Sequence, residues 1–578
     1  MSMYNVYRDK LPRSSHNIGK PRYFDMDMGI LTPFYIRELY PGDSVKISNS
    51  VFIETRTLKV PLKNRIRFRQ YWFFVPYRLM WKNWEKFIFG GKSGDFTADF
   101  PYMLAYSSGG ATSSTLLNKK SLWSMLGFPQ FNSLSQTDIR DFLDKLKVSA
   151  MPFAAYQMIY KDWFRDENLS GDYWDFENAG QAWLSDGANL YALNEDGNST
   201  PINLFTVRHA PWSRTYFTAA LPFRQRGTAN RVPLSGSAFL KSFISEDSGQ
   251  TYTVTPITYR TIENSDGTNR FVSPAATSVG QTIGQSLQTG IAYSTSDGAF
   301  TPGGSQYRAL GIEGSDLQGF TITELRLLAK LQQFAEINAR FGFRYIEGLR
   351  GHFGVSPNDS RLDRPEFICG SSQDVIVAEV LQTSASTDGG TPLATPAGRG
   401  VSASGGRLGS YFAQEHGILM GICSIMPEQI YTQGVSRMWT RRTKEEFFSP
   451  EFNGLSEQEI RTKEIYATPD MTLEQLNSVL GFVPAWEELR HDTAFANGSL
   501  RDPDNQDIYA WTMARHFNSI PTLSENFVMG SQDNANGGIR TDAFATGNAT
   551  PPFFVSINNK IRLLSTVSKS GTPGITRI

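Results

Sequence analysis

Residues 64–84, NRIRFRQYWFFVPYRLMWKNW, constrain the fold more than any other stretch of this chain. Ile66 and Phe68 alternate with Arg65, Arg67 and Arg69, the period of two that buries one face of a strand and leaves the other basic. From Tyr71 to Val75 the run is continuously apolar, so both faces of the strand should be covered there. Pro76 ends it, because proline cannot donate to the ladder. Trp81 and Trp84 follow at helical spacing. A strand this aromatic belongs in a large β-core or at a subunit interface.

The flanking sequence supplies partners for it. After a PGD turn at 41–43, SVKISNSVFIETRTLKV (44–60) alternates Val45, Ile47, Val51 and Ile53, which predicts a first long strand. The PLKN turn at 61–64 predicts that it pairs with 64–75 as a hairpin. Residues 77–90 read as helical and 91–122 as a loop. Ile139, Phe142, Leu143 and Leu146 predict a helix over 135–147, and Tyr156, Ile159, Tyr160 and Trp163 another over 152–166. Thr321 and Glu324 form a capping box ahead of a helix over 321–341, with Gly342 closing it. Residues 383–406 read as a flexible loop. Ile418, Met420, Ile422 and Ile425 predict a strand within 416–431, and FFVSINNKIRLLSTV (553–567) a last one.

Strands at both ends with helices and loops between them predict a mainly β fold, one sandwich whose connections have been expanded. Residues 228–318 have another texture, rich in Ser, Thr, Gly and Gln with short alternating pieces such as TYTVTPITYR. They read as an insertion of small strands and loops. The expected organisation is a basic arm at 1–24, a core at 25–227 and 319–578, and a surface insertion or protrusion at 228–318.

The 56 basic and 56 acidic residues give zero net charge over 578 residues, so any nucleic-acid contact must come from a local patch or from another protein. Two segments offer one. In the arm, Arg8, Lys10, Arg13, Lys20 and Arg22 face Asp9 alone. In GVSRMWTRRTKEEFF (434–448), Arg437, Trp439, Arg441, Arg442 and Lys444 combine charge for phosphate with a π-face for bases. Glu445 and Glu446 follow at once, and arginine is equally at home in subunit contacts, so these positions are candidates for DNA or for interface. Cys369 and Cys423, the only two cysteines, read as reduced core thiols.

Enzyme motifs do not assemble. The six histidines have no HxxxH spacing, Glu415-His416 stands alone as a zinc candidate, and FGGKSGD lacks the first glycine of a phosphate loop. No catalytic, metal or cofactor-binding residue is assigned. The N-terminus has no signal-like apolar region, and no window is long enough to span a membrane.

A family resemblance adds to this reading. LTPFYIRELYPGDSV (31–45), YWFFVPYRLMWKNWEKF (71–87), FAAYQMIYKDWFRDENL (153–169), RHAPWSRTYFTAALPFRQRG (208–227), FAEINARFGFRYIEGLRGHFGV (334–355), SPNDSRLDRPEFICGS (356–371), EHGILMGICSIMPEQIYTQGVSRMWTRRTKEEFFSPEFNGLSEQEI (415–460) and PPFFVSINNKIRLLS (551–565) occur in one order. Together they resemble the major capsid protein of the microviruses, small icosahedral single-stranded DNA bacteriophages, nearest the gokushovirus-like branch. The resemblance implies an eight-stranded antiparallel jelly roll with large loop and helix insertions. It implies a structural, non-enzymatic protein of the virion, assembled in the bacterial host cytoplasm as pentamers and then a 60-subunit T=1 shell around circular single-stranded DNA. The partners it implies are further copies of the chain, packaged DNA, a small basic DNA-condensing protein, a vertex or spike protein and a host surface receptor. By position it implies that the insertion forms capsid protrusions. The alternative is a β-sandwich that binds or cleaves glycans, for which the Trp and Tyr content would supply sugar-stacking faces and a carboxylate pair the chemistry.

Overall fold

A computed structural model of the chain describes residues 12–81, 83–89, 100–102, 121–130, 142, 145–170, 207–225, 349–353, 358–381, 396–453, 456–502, 506–531, 537–545 and 550–569, with the backbone of short strands between 239 and 313 and of a helix at 322–341. The chain divides into two compact units, one made of Met1–Arg226 and Glu336–Ile578, the other of Gly227–Ala335.

The larger unit is built on β1 (Ser14–Asn17), β2 (Pro21–Met26), β3 (Thr32–Leu39), β4 (Ser44–Thr55) and β5 (Ile66–Pro76). The smaller unit contributes β6 (Phe239–Ser245), β7 (Thr251–Thr253), β8 (Arg260–Glu263), β9 (Asn269–Val272) and β10 (Tyr307–Glu313). The larger unit resumes with β11 (Glu366–Leu381), β12 (Pro396–Phe412), β13 (Gly417–Pro427), β14 (Glu457–Arg461), β15 (Val479–Pro484) and β16 (Phe553–Ser565). In the smaller unit β6 lies between β10 and β7, and β8 pairs with β9.

The main sheet runs β1-β16-β4-β12-β11-β5-β13-β3, with β2 also on β16, and every pairing is antiparallel. This eight-strand path curls into two facing layers, the sandwich of a jelly roll. The turn from one layer to the other is made by β11. Glu366–Val375 pairs with β5, and Ile376–Leu381 pairs with β12.

Alternation fills the space between the layers. Val45, Ile47, Asn49, Val51 and Ile53 of β4 are buried, as are Ile66, Phe68, Gln70, Trp72 and Phe74 of β5. Trp72 meets the Phe34 ring edge-on at 5.2 Å and the tilted Tyr35 ring at 5.2 Å. One polar group crosses this apolar gap: Asn49 Nδ2 donates to Gln70 Oε1 at 2.6 Å, and Gln70 Nε2 donates to Ser371 Oγ at 2.6 Å and to Asn49 Oδ1 at 3.2 Å.

The other face of β5 is also covered, as its continuous apolar run requires. A helix at Met151–Ile159 continues into one wider turn at Tyr160–Phe164. That turn lays Trp163 against Phe73 at 5.4 Å and Phe164 against Tyr71 at 5.3 Å. The helix is buried over most of its length, as expected of a helix with no solvent side, and its buried Gln157 accepts from Arg208 at 2.7 Å.

Three expectations are corrected. First, β4 and β5 do not form a hairpin; β4 lies between β12 and β16, and β5 between β11 and β13. Their buried alternating faces point at one another across the core, so the turn at 61–64 changes layer. Second, β12 begins at Pro396, so 396–406 is strand and not loop. Within it Gly405 suits a close approach, because a Cβ there would lie 3.2 Å from the Ser50 Cβ, while one on Gly406 would meet nothing within 4 Å. Third, within the segment expected as a basic arm, Ser14–Asn17 and Pro21–Met26 are strands, and both pair with β16. The expected helix over 321–341 is observed at Ile322–Phe341, and 77–90 holds two short helices, Tyr77–Met80 and Trp84–Phe89. The loop expected at 91–122 and the helix expected at 135–147 lie largely outside the described residues.

The loops after β13 gather round a buried cation. Arg515, 1% exposed, donates to the carbonyls of Gly537 at 2.6 Å and Phe527 at 2.9 Å. Its guanidinium lies 4.5 Å from the Phe527 ring and 5.1 Å from that of Trp212. Carbonyl dipoles and ring faces replace the carboxylate that a buried cation usually has.

Asn49→Ala or Gln70→Ala should each destabilise the subunit by about 1–3 kcal/mol, because the partner amide is left buried and unpaired. Replacing both with Leu should cost less than the two single changes added together. Urea unfolding of the four proteins measures this, and strict additivity would show that the pair does not act as a unit.

Candidate nucleic-acid face and assembly surface

The outward face of the β1-β16-β4-β12 layer is divided along the strands. Outward positions alternate with buried ones, which puts Lys560 and Arg562 of β16, Lys46 of β4 and Arg407 of β12 on this face. Arg562 is directly opposite Lys46, while Lys560 and Arg407 flank Ser48 from its two sides. Arg13 joins them, its guanidinium 5.6 Å from the exposed Phe412 ring. Among the described residues no ion pair ties any of these five cations to a carboxylate. The positions between them are small and polar: Ser44, Ser48, Ser50, Ser410 and Asn558. The nearest acids on the outward rows, Asp25 and Glu54, sit at the far end beside Tyr23, Phe52 and Phe554. Glu54 is eight positions along β4 from Lys46, about 26 Å.

Like charges directly opposite on a sheet repel. Among the described residues this half of the face keeps them together without an acid. Of the expected arm contacts, Arg13, Lys20 and Arg22 are exposed at or beside this layer, while Arg8 and Lys10 lie outside the described residues. Sequence reading missed Lys46, Arg407, Lys560 and Arg562. The signal, cations at alternate strand positions, is weak in each strand and accumulates only when the three strands are neighbours.

The second candidate cluster is arranged differently. Arg437 donates to the Glu459 carbonyl at 2.8 Å and lies 3.6 Å from Glu464 and 3.7 Å from Glu488. Arg441 pairs with Glu488 at 2.9 Å. Lys444 lies 3.8 Å from Glu445, and the Glu446 carboxylate accepts from the amides of Arg442 and Thr443. Beneath them Tyr216 donates to Glu464 at 2.9 Å. Burial pushes the Glu464 carboxyl above its ordinary range, and the Arg461 amide, Arg437 and Tyr216 oppose that rise. Arg437 and Arg441 therefore anchor a loop, while Trp439, Arg442 and Lys444 are exposed.

Glu415 and His416 do not form a metal site. Glu415 accepts from Arg78 at 2.8 Å, and His416 packs on Tyr40 and Trp84. No cluster of metal-ligating side chains occurs among the described residues. Cys369 and Cys423 are both free and buried, and burial pushes the Cys369 thiol up to about 11. No helix among the described residues is long and apolar enough to cross a membrane.

The chain matches the family described as Capsid protein (F protein) over residues 5–562. It is 30% identical over 506 residues to Capsid protein VP1 of Bdellovibrio phage phiMH2K, covering 86% of this chain and 84% of that protein. It is 27% identical over 551 residues to Capsid protein VP1 of Chlamydia phage 1, covering 88% and 87%. It is 27% identical over 579 residues to Capsid protein VP1 of Spiroplasma virus 4, covering 98% and 96%.

The raised Glu464 carboxyl gives the anchoring network a pH signature. The folded subunit gives up this proton at a higher pH than the unfolded chain does. Its contribution to stability is full below the ordinary glutamate value of about 4.3 and is lost as pH rises through the raised one. Glu464→Gln removes the titration. The Tm of the parent minus that of the variant should therefore fall as pH goes from about 4 to about 7. A difference independent of pH would show that Glu464 titrates alike in both states.

Proposed function

This chain belongs to the phage capsid F protein family, and from that premise we propose that its copies close a T=1 shell around circular single-stranded DNA with the basic half of the outer sheet face turned to the packaged strand. The chain is a structural capsid protein of the virion, from a family of shell-forming proteins rather than enzymes. The finer reading is supported by one observation above the rest: Arg13, Lys46, Arg407, Lys560 and Arg562, with no ion pair among the described residues, stand together on a small polar surface of a chain with no net charge.

A single strand needs charge along its backbone and room for its bases. The Ser and Asn side chains between the cations supply further donors without bulk, and the exposed Phe412 and Tyr23 offer ring faces at the two ends of the layer. The arm residues Arg13, Lys20 and Arg22 extend the same positive field, and Arg8 and Lys10 precede them in the sequence. A stiff sandwich suits shell building because its sides make heterologous contacts that close about symmetry axes. In this reading the subunits first form pentamers in the bacterial host cytoplasm. A small basic protein neutralises the rest of the DNA charge. A vertex or spike protein and the 228–318 insertion face outward, toward the host receptor. The glycan alternative has no support, since the matched family and relatives are capsid proteins.

Changing Lys46, Arg407, Lys560 and Arg562 together to Gln should leave empty-shell assembly intact and lower the yield of DNA-filled particles. Filled particles of the parent should lose DNA more steeply with salt, the slope of binding changing by roughly 0.7 for each phosphate contact removed. Density-gradient separation of filled and empty particles reads the result. Equal filling and equal salt sensitivity would mean that this face does not meet the nucleic acid.

A further inference from the structure

The acidic end of the outer sheet face is built as two like halves about a centre. β2 offers Asp25 and Tyr23, β4 offers Glu54 and Phe52, and β16 runs between them with Phe554 and Ser556. Phe554 is directly opposite Asp25 on one side and Glu54 on the other, while Ser556 is directly opposite Tyr23 and Phe52. All six line one hollow. β2 and β4 are two strand spacings apart, so the two carboxylate positions are separated by about 10 Å, as are the two flanking rings. Ser556 is too small to fill the gap between those rings. Tyr23 is 76% exposed, and Phe52 and Phe554 are 42% exposed. Among the described residues none of the three rings packs on another.

The local charge is negative. Against Asp25 and Glu54 stands Arg56, whose guanidinium lies 4.4 Å from the Phe554 ring and donates to the Pro551 carbonyl at 2.8 Å. Arg22 lines a different hollow together with Tyr35. The next outward cation along β16, Lys560, is four positions from Ser556, about 13 Å. Carboxylates beside exposed ring faces select an organic cation, which the acids attract by charge and the rings by their quadrupoles. A metal ion suits the site badly. Hard cations gather several oxygens within about 2.6 Å, whereas these two carboxylates start about 10 Å apart. One ammonium cannot reach both acids either. Two ammoniums joined by methylenes can, with the apolar linker over Phe554 and Ser556 and each charge set between a carboxylate and a ring.

We propose that Asp25 with Tyr23 and Glu54 with Phe52 form the two ends of a binding site for a linear polyamine. Its methylenes pack on Phe554, and its terminal ammoniums take the two carboxylate–ring pairs. The site stands on its own geometry and does not depend on where the nucleic acid lies. Where the basic rows hold a packaged strand, a further ammonium of the same molecule reaches along β16 toward the phosphates beside Lys560. In this assignment Tyr23 faces a cation, and Phe412 remains the ring face beside the basic rows.

The test titrates spermidine into the purified full-length chain at low salt by isothermal calorimetry, with butylamine and a tetralysine peptide as comparisons. One spermidine should bind per chain, about tenfold more tightly than butylamine, which can satisfy only one end. Tyr23→Leu/Phe52→Leu keeps charge and apolar bulk while removing both π-faces, and should weaken spermidine binding about tenfold. Asp25→Asn should weaken it about threefold. Circular dichroism and melting establish that the variants are folded, and the butylamine comparison needs no variant. Absence of saturable spermidine binding, equal affinity for butylamine, or unchanged affinity in the folded ring variant overturns the proposal. Ring-dependent binding of tetralysine without ring-dependent binding of spermidine also overturns it and assigns the slot to a lysine-bearing polypeptide. The titration contains no DNA, so its outcome is separate from whether the basic face meets the packaged strand.

Discussion

The architecture depends on one strand that belongs to both layers. β11 hydrogen-bonds to β5 over its first ten residues and to β12 over its last six, so the backbone itself carries the sheet round the corner. Register then propagates in both directions. With β5 fixed against β11, Trp72 must point into the core and Phe73 out of it. With β12 fixed against β11, β4 and β16 are placed in turn, and their alternation decides which side chains meet solvent. The two layers are further matched at Asn49, Gln70 and Ser371, where a lost hydrogen bond would be costly because water cannot replace it. An apolar core alone tolerates sliding; a polar group that must find its partner does not.

The same alternation creates the charged face. Burying Ile47, Ile561 and Leu563 obliges Lys46, Lys560 and Arg562 to stand outside, and pairing β16 with β4 sets Arg562 against Lys46. Zero net charge for the whole chain therefore conceals a strong local asymmetry. In the 437–448 loop the opposite holds. A run that looks freely basic in sequence is partly paired in space, because Glu464 and Glu488 come up beneath Arg437 and Arg441 from other segments. Charge along a chain and charge on a surface are different quantities, and a β fold with long crossovers separates them most.

Much of the fold was legible from residue pattern. The strand at 66–76 showed its two covered faces in the unbroken Tyr71–Val75 run, and β13 and β16 announced themselves by apolar density and by alternation. The helix at Met151–Ile159 and the one at Ile322–Phe341 followed from spacing. Failures came where pattern is blind to neighbours. The turn at 61–64 has hairpin chemistry, yet β4 and β5 lie in different layers, since nothing local says whether two amphipathic strands pair edge to edge or face to face. The Gly and Ser of 396–406 read as loop, but backbone pairing with β11 and β4 makes them strand regardless of propensity.

By itself the sequence determined the class of fold, the central aromatic strand, the absence of a bulk electrostatic hold on nucleic acid and, through ordered motif blocks, the capsid family. Those properties are local or summed along the chain. Only the tertiary structure decided which cations act together. Lys46, Arg407 and Lys560 are far apart in the sequence and become neighbours through strand pairing, while Arg437 and Arg441 lose their apparent freedom to glutamates that arrive from later loops. Ion pairing and repulsion between solvated charges are screened beyond about 8–10 Å at ordinary salt, so they answer to proximity, and proximity between distant segments is what folding supplies.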